Sequence, residues 1–193
     1  MRPLYLMGLA YAAVCGVVAL KAIRPAPAGG EPVSPTRPFV GPAGEWFQLV
    51  KPYCNALEVV TRVRQTPPPA GADGAGYGAS CYALAGNIDS ARALLMALPE
   101  GDRGYASSIV FNIGHPVADA GDDRSAGPIM ELVLEFLPDN YMALYHAGIS
   151  EYVLGQPDRA RASLRRFLDL YHENDGWRAN ALEVLSRLEG PER

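Results

Sequence analysis

The chain has 193 residues, 49% of them apolar and 20% charged, with a formal net charge of −4. That composition can build a core, which excludes global disorder. Only Arg2 and Lys21 of the 17 basic residues precede residue 24, whereas all 21 acidic residues follow it. The body is therefore acidic and lacks the basic footprint of a general nucleic-acid binder.

The first element is "LYLMGLAYAAVCGVVAL" (4–20), an uncharged and mostly apolar run that reaches Ile23 with the next three residues. About 20 residues make a helix of roughly 30 Å, the thickness of a bilayer's hydrocarbon core. Arg2 on one side and Lys21 and Arg24 on the other are membrane-style flanks. Residues 1–23 are thus expected to be a transmembrane anchor. A cleaved signal peptide is the alternative, because "APA" (26–28) is a small-x-small pattern. Against cleavage, the apolar run is long and Lys21 and Arg24 sit where such regions are normally uncharged. A lipoprotein signal at Cys15 is disfavoured by the bulky Val14 before it. Residues 24–42 follow as a linker with six prolines among 19 residues, extended and semi-rigid, because proline removes the donors and dihedrals that a helix needs.

From residue 43 to 190 the pattern is helical and periodic. "ALAGNIDSARALLMALP" (83–99) reads as a helix end, a Gly-Asn turn and an amphipathic helix stopped by proline. "YVLGQPDRARASLRRFL" (152–168) repeats it, and "IVFNIGHPVADAGDDRSAGPIMELVLEFLP" (109–138) is a copy between them. Turn glycines Gly86, Gly121 and Gly155 are spaced by 35 and 34 residues, as are Ala91, Ala126 and Ala160. Stepping back by 35 adds Ala56 to the alanines, and gives Gly44, Ala79, Gly114 and Gly148 as small residues of the first helices. Apolar pairs Val60/Val63, Leu95/Leu98, Met130/Val133 and Leu164/Phe167 follow the alanines by four and seven residues, on one helical face.

This pattern resembles the tetratricopeptide repeat (TPR), which has a period of 34, small residues where paired helices cross and proline at the end. The resemblance covers about residues 37–174, as units 37–71, 72–106, 107–140 and 141–174. It implies an all-α fold: an α-solenoid of about four TPR-like hairpins. "DGWRANALEVLSRLEG" (175–190) is then a capping helix, with Trp177, Ala181, Val184, Leu185 and Leu188 inward and Arg178, Glu183 and Arg187 outward. By the same resemblance the first helices line a concave groove. Its inward-facing residues would be Phe111, His115, Met142, Tyr145, Ile149 and Tyr152, suited to an apolar peptide or helix. The alternative is that the capping segment or the linker covers them. The carboxylate clamp of chaperone-binding members would fall on Gly76, Ser80, Asn112, Met142 and His146, and only Asn112 fits.

Cys54, at the start of the first unit's second helix, and Cys81, near the end of the next helix, lie 13 and 9 residues outward from the Pro67–Ala72 loop. A Cys54–Cys81 disulfide is expected, with two buried free thiols as the alternative. A disulfide implies an oxidising compartment, so the body is placed on the periplasmic side of a bacterial membrane, although the positive flank at Lys21 and Arg24 slightly favours the cytoplasm.

No catalytic constellation is legible. "GAGYGAS" (74–80) lacks the strand and lysine of a phosphate loop and suits tight helix contact. "DAGDDRS" (119–125) lacks EF-hand spacing and suits a turn in which Asp122 or Asp123 caps the next helix. The arginines of "DRARASLRR" (158–166) form a solvated face, with Arg165 pairing to Asp169. His115 and His146 lie on successive first helices, but a shared metal would need a third ligand that the sequence does not name. No metal, cofactor or enzymatic activity is assigned. The expected function is a membrane-anchored adaptor or assembly subunit that binds a protein partner, the alternative being a chaperone-like module for unfolded or secreted chains.

Overall fold

The computed structural model describes residues 41–190, and every regular element among them is helical. These are α1 (Pro42–Val50), a short 3-10 turn (Lys51–Tyr53), α2 (Val59–Gln65), α3 (Ala72–Leu84), α4 (Ile88–Met96), α5 (Glu100–Asp119), α6 (Asp123–Phe136), α7 (Tyr141–Val153), α8 (Pro157–Leu170) and α9 (Gly176–Glu189). The expected anchor at 1–23 and all but the last two residues of the linker lie outside the described residues. No described helix is long and apolar enough to cross a membrane. Pro42, placed in the linker by its sequence, is the first residue of α1, where its missing N–H costs nothing.

Three of the turns share one geometry. Gly86, Gly121 and Gly155 have φ of 75°, 83° and 72°, a left-handed conformation that a Cβ would strain. At each, the glycine N–H donates three residues back and the next N–H donates five residues back: Gly86 to Ala83 and Asn87 to Tyr82, Gly121 to Ala118 and Asp122 to Val117, Gly155 to Tyr152 and Gln156 to Glu151. The orphan carbonyls at the helix end are thereby paired. Asn87 and Asp122 then cap α4 and α6, their side chains accepting from the N–H of Ser90 and Ser125.

Helix α3 packs on α1, α4 and α5; α6 lies between α5 and α7, and α8 between α7 and α9. The paired helices approach closely at small residues. Ala91, Ala126 and Ala160 are fully buried. A Cβ on Gly148 would sit 2.7 Å from Leu164 Cγ, and one on Gly76 would sit 2.9 Å from Ala106 O. Gly74, Gly76 and Gly78 are buried inside α3, in keeping with tight helix contact. The core runs from Trp46, Phe47 and Val59 at the N-terminal end, through Leu95, Val110, Met130 and Val133, to Leu164, Phe167 and Val184 beneath α9.

The structure departs from the repeat pattern in four places. Ala56 is exposed, and Cys54 precedes the second helix instead of opening it. The side chain of Asn55 accepts from the N–H of Leu57 and Glu58 at 3.1 and 3.2 Å, a local turn that delays the helix to Val59. The buried pair of α2 is consequently Val59 and Val63, with Val60 exposed. Second, α5 begins at Glu100, two turns before the expected start of its unit. Pro99 disfavours helical backbone at Leu98 and ends α4, while Arg103 donates to the carbonyls of Leu98 and Met96 and closes that end. Third, Arg178 is half-buried, because its guanidinium satisfies Tyr171 O at 2.7 Å where α8 ends. Fourth, Arg165 pairs with Glu189 of α9 at 2.6 Å and not with Asp169.

Cys54 and Cys81 are joined as a disulfide, with Cα atoms 4.8 Å apart. It fastens the segment between α1 and α2 to α3. Those two helices have nine and seven residues, too few to persist alone. Besides the disulfide they rely on one apolar cluster and on Trp46 Nε1, which donates to Thr66 O at 2.9 Å.

Two outcomes are expected in urea unfolding followed by circular dichroism. Gly148→Val, which drives a branched side chain into Leu164, lowers stability by about 2–3 kcal/mol, whereas Gly101→Ala, with open space around the added carbon, raises it by roughly 0.5 kcal/mol. Reduction of the Cys54–Cys81 bond, which closes a 27-residue separation, costs about 3 kcal/mol; a Cys54→Ser variant shows the same loss and no further loss with reductant.

Candidate functional site

The six predicted groove residues come from α5 and α7, and the structure divides them. Phe111 and His115, one turn apart on α5, stack with ring centroids 4.8 Å apart. Met142, Ile149 and Tyr152 are half-buried on α7, and Ile149 and Tyr152 rest on the apolar cluster beneath α9. Tyr145 is only 4% exposed and does not line an open groove. Its ring contacts Phe167 and Trp177 at 5.2 and 4.9 Å, and its hydroxyl accepts from Asn180 Nδ2 at 2.6 Å. The reason is α9, which packs on α7 as well as α8 and brings Trp177 and Asn180 over Tyr145. A shallow cavity of about 520 Å³ lies elsewhere, lined by Cys54, Asn55, Leu84, Ile88 and Arg124 among others, and contains none of the six.

Three polar side chains converge where α5 ends against α7. His115 Nε2 is 3.5 Å from Asp119 Oδ1, one turn further along α5, and His146 Nε2 of α7 is 3.7 Å from the same oxygen. The rings of His115 and His146 meet edge to face at 4.9 Å. His146 also lies against Tyr145 and Trp177 and is 2% exposed. Neither ring nitrogen of His146, nor Nε2 of His115, has a hydrogen-bond partner among the described residues. Burial pushes the His146 imidazole down to about 3, and His115 adds to the shift. Burial likewise lowers His115, opposed by the charge of Asp119. Both rings are held neutral at pH 7, with lone pairs available. In the sequence Asp119 reads only as the head of a turn. The available signal was the His-x-x-x-Asp spacing of 115–119, which places both groups on one helical face.

A second buried polar group is structural in character. Glu151, 3% exposed, accepts from Ser163 Oγ at 2.8 Å and pairs with Arg159 at 3.1 Å, and Arg159 reaches Glu131 at 3.0 Å. The group ties α6, α7 and α8 together. Burial raises the Glu151 carboxyl above its ordinary 4.5; Ser163 and Arg159 oppose the shift and Glu131 adds to it.

Compared with known proteins, the chain matches no family model, no curated protein and no solved structure. Its function must be argued from the geometry.

Because the Glu151 carboxyl is raised in the folded state, that state holds the proton more tightly than the unfolded chain does. The associated stability is present below pH 4.5 and is lost as pH rises through the folded value. Glu151→Gln keeps a partner for Ser163 and removes this slope. Urea midpoints measured upward from pH 4.5 should therefore fall less steeply for the variant than for the native chain.

Proposed function

We propose that the protein is a non-enzymatic, membrane-anchored adaptor. In this reading its body is an α-solenoid of four TPR-like hairpins capped by α9. A proline-rich stalk holds it at the periplasmic face of a bacterial membrane, and it binds an apolar peptide or helix from a subunit of a membrane or envelope complex. The observation that carries the reading is the recurrence of one hairpin geometry at 35- and 34-residue intervals. Gly86, Gly121 and Gly155 share the same turn bonds, and Ala91, Ala126 and Ala160 are each fully buried at the crossing that follows. Stacked hairpins of this kind present one continuous face of first helices, and binding through such a face is what repeat architectures do. Phe111, Met142, Ile149 and Tyr152 are the partner-binding residues on that face, with His115 beside them. Tyr145 contributes from beneath, by fixing α7 to α9. The disulfide supports the placement in an oxidising compartment.

Photo-cross-linking in intact membranes, from a reactive residue placed at Tyr152, tests this reading. One or a few discrete membrane-protein adducts are expected. Combined Met142→Ala and Ile149→Ala substitution, with the reactive residue kept at 152, should weaken capture roughly 5- to 30-fold, the effect of losing about 1–2 kcal/mol of anchoring contact. Diffuse adducts with many unfolded chains would support the chaperone-like alternative, and undiminished capture would remove α7 from the binding surface.

A further inference from the structure

We propose that His115, Asp119 and His146 form a binding site for one divalent transition-metal ion of the zinc class, joining the end of α5 to α7. The inference is independent of the adaptor reading. One donor atom from each residue can be chosen so that all lie within 4.8 Å of one another. A tetrahedral ion with ligand bonds of about 2.0–2.1 Å requires donor-to-donor edges of roughly 3.3–3.4 Å. The two histidine–aspartate edges, 3.5 and 3.7 Å, are already within a few tenths of an ångström of that value. Only the gap between the histidines has further to close, and both rings can tilt about their side-chain bonds.

The donors are otherwise unemployed. A buried polar atom without a partner is costly and calls for a cause. Here three ring nitrogens on two facing histidines are in that state. An ion at the centre would satisfy the Nε2 atom of each ring and neutralise Asp119 together. The surroundings also hold the ligands in place. Phe111 stacks on the His115 ring, while Tyr145 and Trp177, themselves in contact, both pack edge to face against His146. Burial keeps the imidazoles neutral, the form in which histidine binds metal. Asp119 is 36% exposed and marks the side from which an ion and a completing water would enter.

The donor set selects the metal class. Two imidazoles and one carboxylate suit zinc, cobalt(II), iron(II) or nickel(II); calcium and magnesium prefer oxygen alone, and copper(I) prefers sulfur. Three protein ligands leave one position for water or for a donor from a partner. The ion would tie α5 to α7 directly beneath Trp177 of α9, where those helices otherwise meet through packed rings.

The test uses the full chain without a polyhistidine tag, in detergent micelles, stripped with chelator and then dialysed against zinc or cobalt(II). One equivalent per chain is expected by elemental analysis, together with the visible absorption of cobalt(II) in a nitrogen- and oxygen-ligated site. His115→Gln and Asp119→Asn should each weaken zinc binding at least about tenfold. His172→Gln, at an exposed histidine beyond α8, should bind as the native chain does. Zinc should raise the melting temperature of the native chain and not that of Asp119→Asn. Asp119→Asn is nearly isosteric at a half-exposed position, so it decides the matter if His115→Gln fails to fold. Absence of a bound ion, equal binding by the native chain and Asp119→Asn, or loss of binding in His172→Gln would each overturn the proposal.

Discussion

Paired helices in this protein approach until the backbone of one meets the side chains of the other, and most of the architecture follows from what that distance permits. At the α7–α8 crossing there is no room for a carbon on Gly148 beside Leu164. Ala160 is buried on the opposite helix. The α3–α5 approach imposes the same limit at Gly76, where the obstacle is the carbonyl of Ala106. Small residues at the crossings bring the helices close, and the large apolar side chains one turn away then interlock: Leu95 in α4, Met130 in α6, Leu164 in α8. Left-handed glycine turns lead into α4, α6 and α8. Packing, rather than any strong helical preference, holds the stack together, since α3 tolerates three internal glycines that would weaken it in isolation.

Two buried polar groups lie among these helices. Glu151 sits at the α7–α8 crossing itself, where Ser163 and Arg159 of the facing helix satisfy it. His115 and His146 meet between α5 and α7, with the more exposed Asp119 beside them. One set has its partners within the protein; the other keeps ring nitrogens with none among the described residues. That contrast separates a structural network from a candidate ligand site.

What could be read from the sequence was whatever a backbone constraint writes at fixed spacing. Gly86, Gly121 and Gly155 were legible because a left-handed turn nearly requires glycine, and Ala91, Ala126 and Ala160 because a crossing excludes bulk. The all-helical class followed from them. Errors arose where a local interaction displaced the period. Carrying the repeat back to Ala56 and Val60 ignored the turn that Asn55 makes with its own neighbours. Placing the third unit's start at residue 107 overlooked Pro99, which ends one helix and begins the next at Glu100. For Tyr145 the resemblance implies an open groove, with cover by the capping segment as the alternative, and the contact of its ring with Trp177 of α9 decides for the alternative. Asp119 was legible only as a turn residue. Its role depends on His146, which tertiary structure alone brings within reach.

The disulfide also has a mechanical meaning. The chain enters the described body at Pro42, and α1 is the first element that tension applied there would reach. Once α1 peels away, the pull arrives at Cys54, and from there a covalent bond passes it to Cys81 inside α3. The short α2 and the loop after it lie within the closed ring and bear no load. Force on that end is thus diverted around α2 and delivered to α3, a helix packed against α1, α4 and α5. The bond between Cys54 and Cys81 divides the molecule into a segment that can yield under strain and a stack that does not unravel with it.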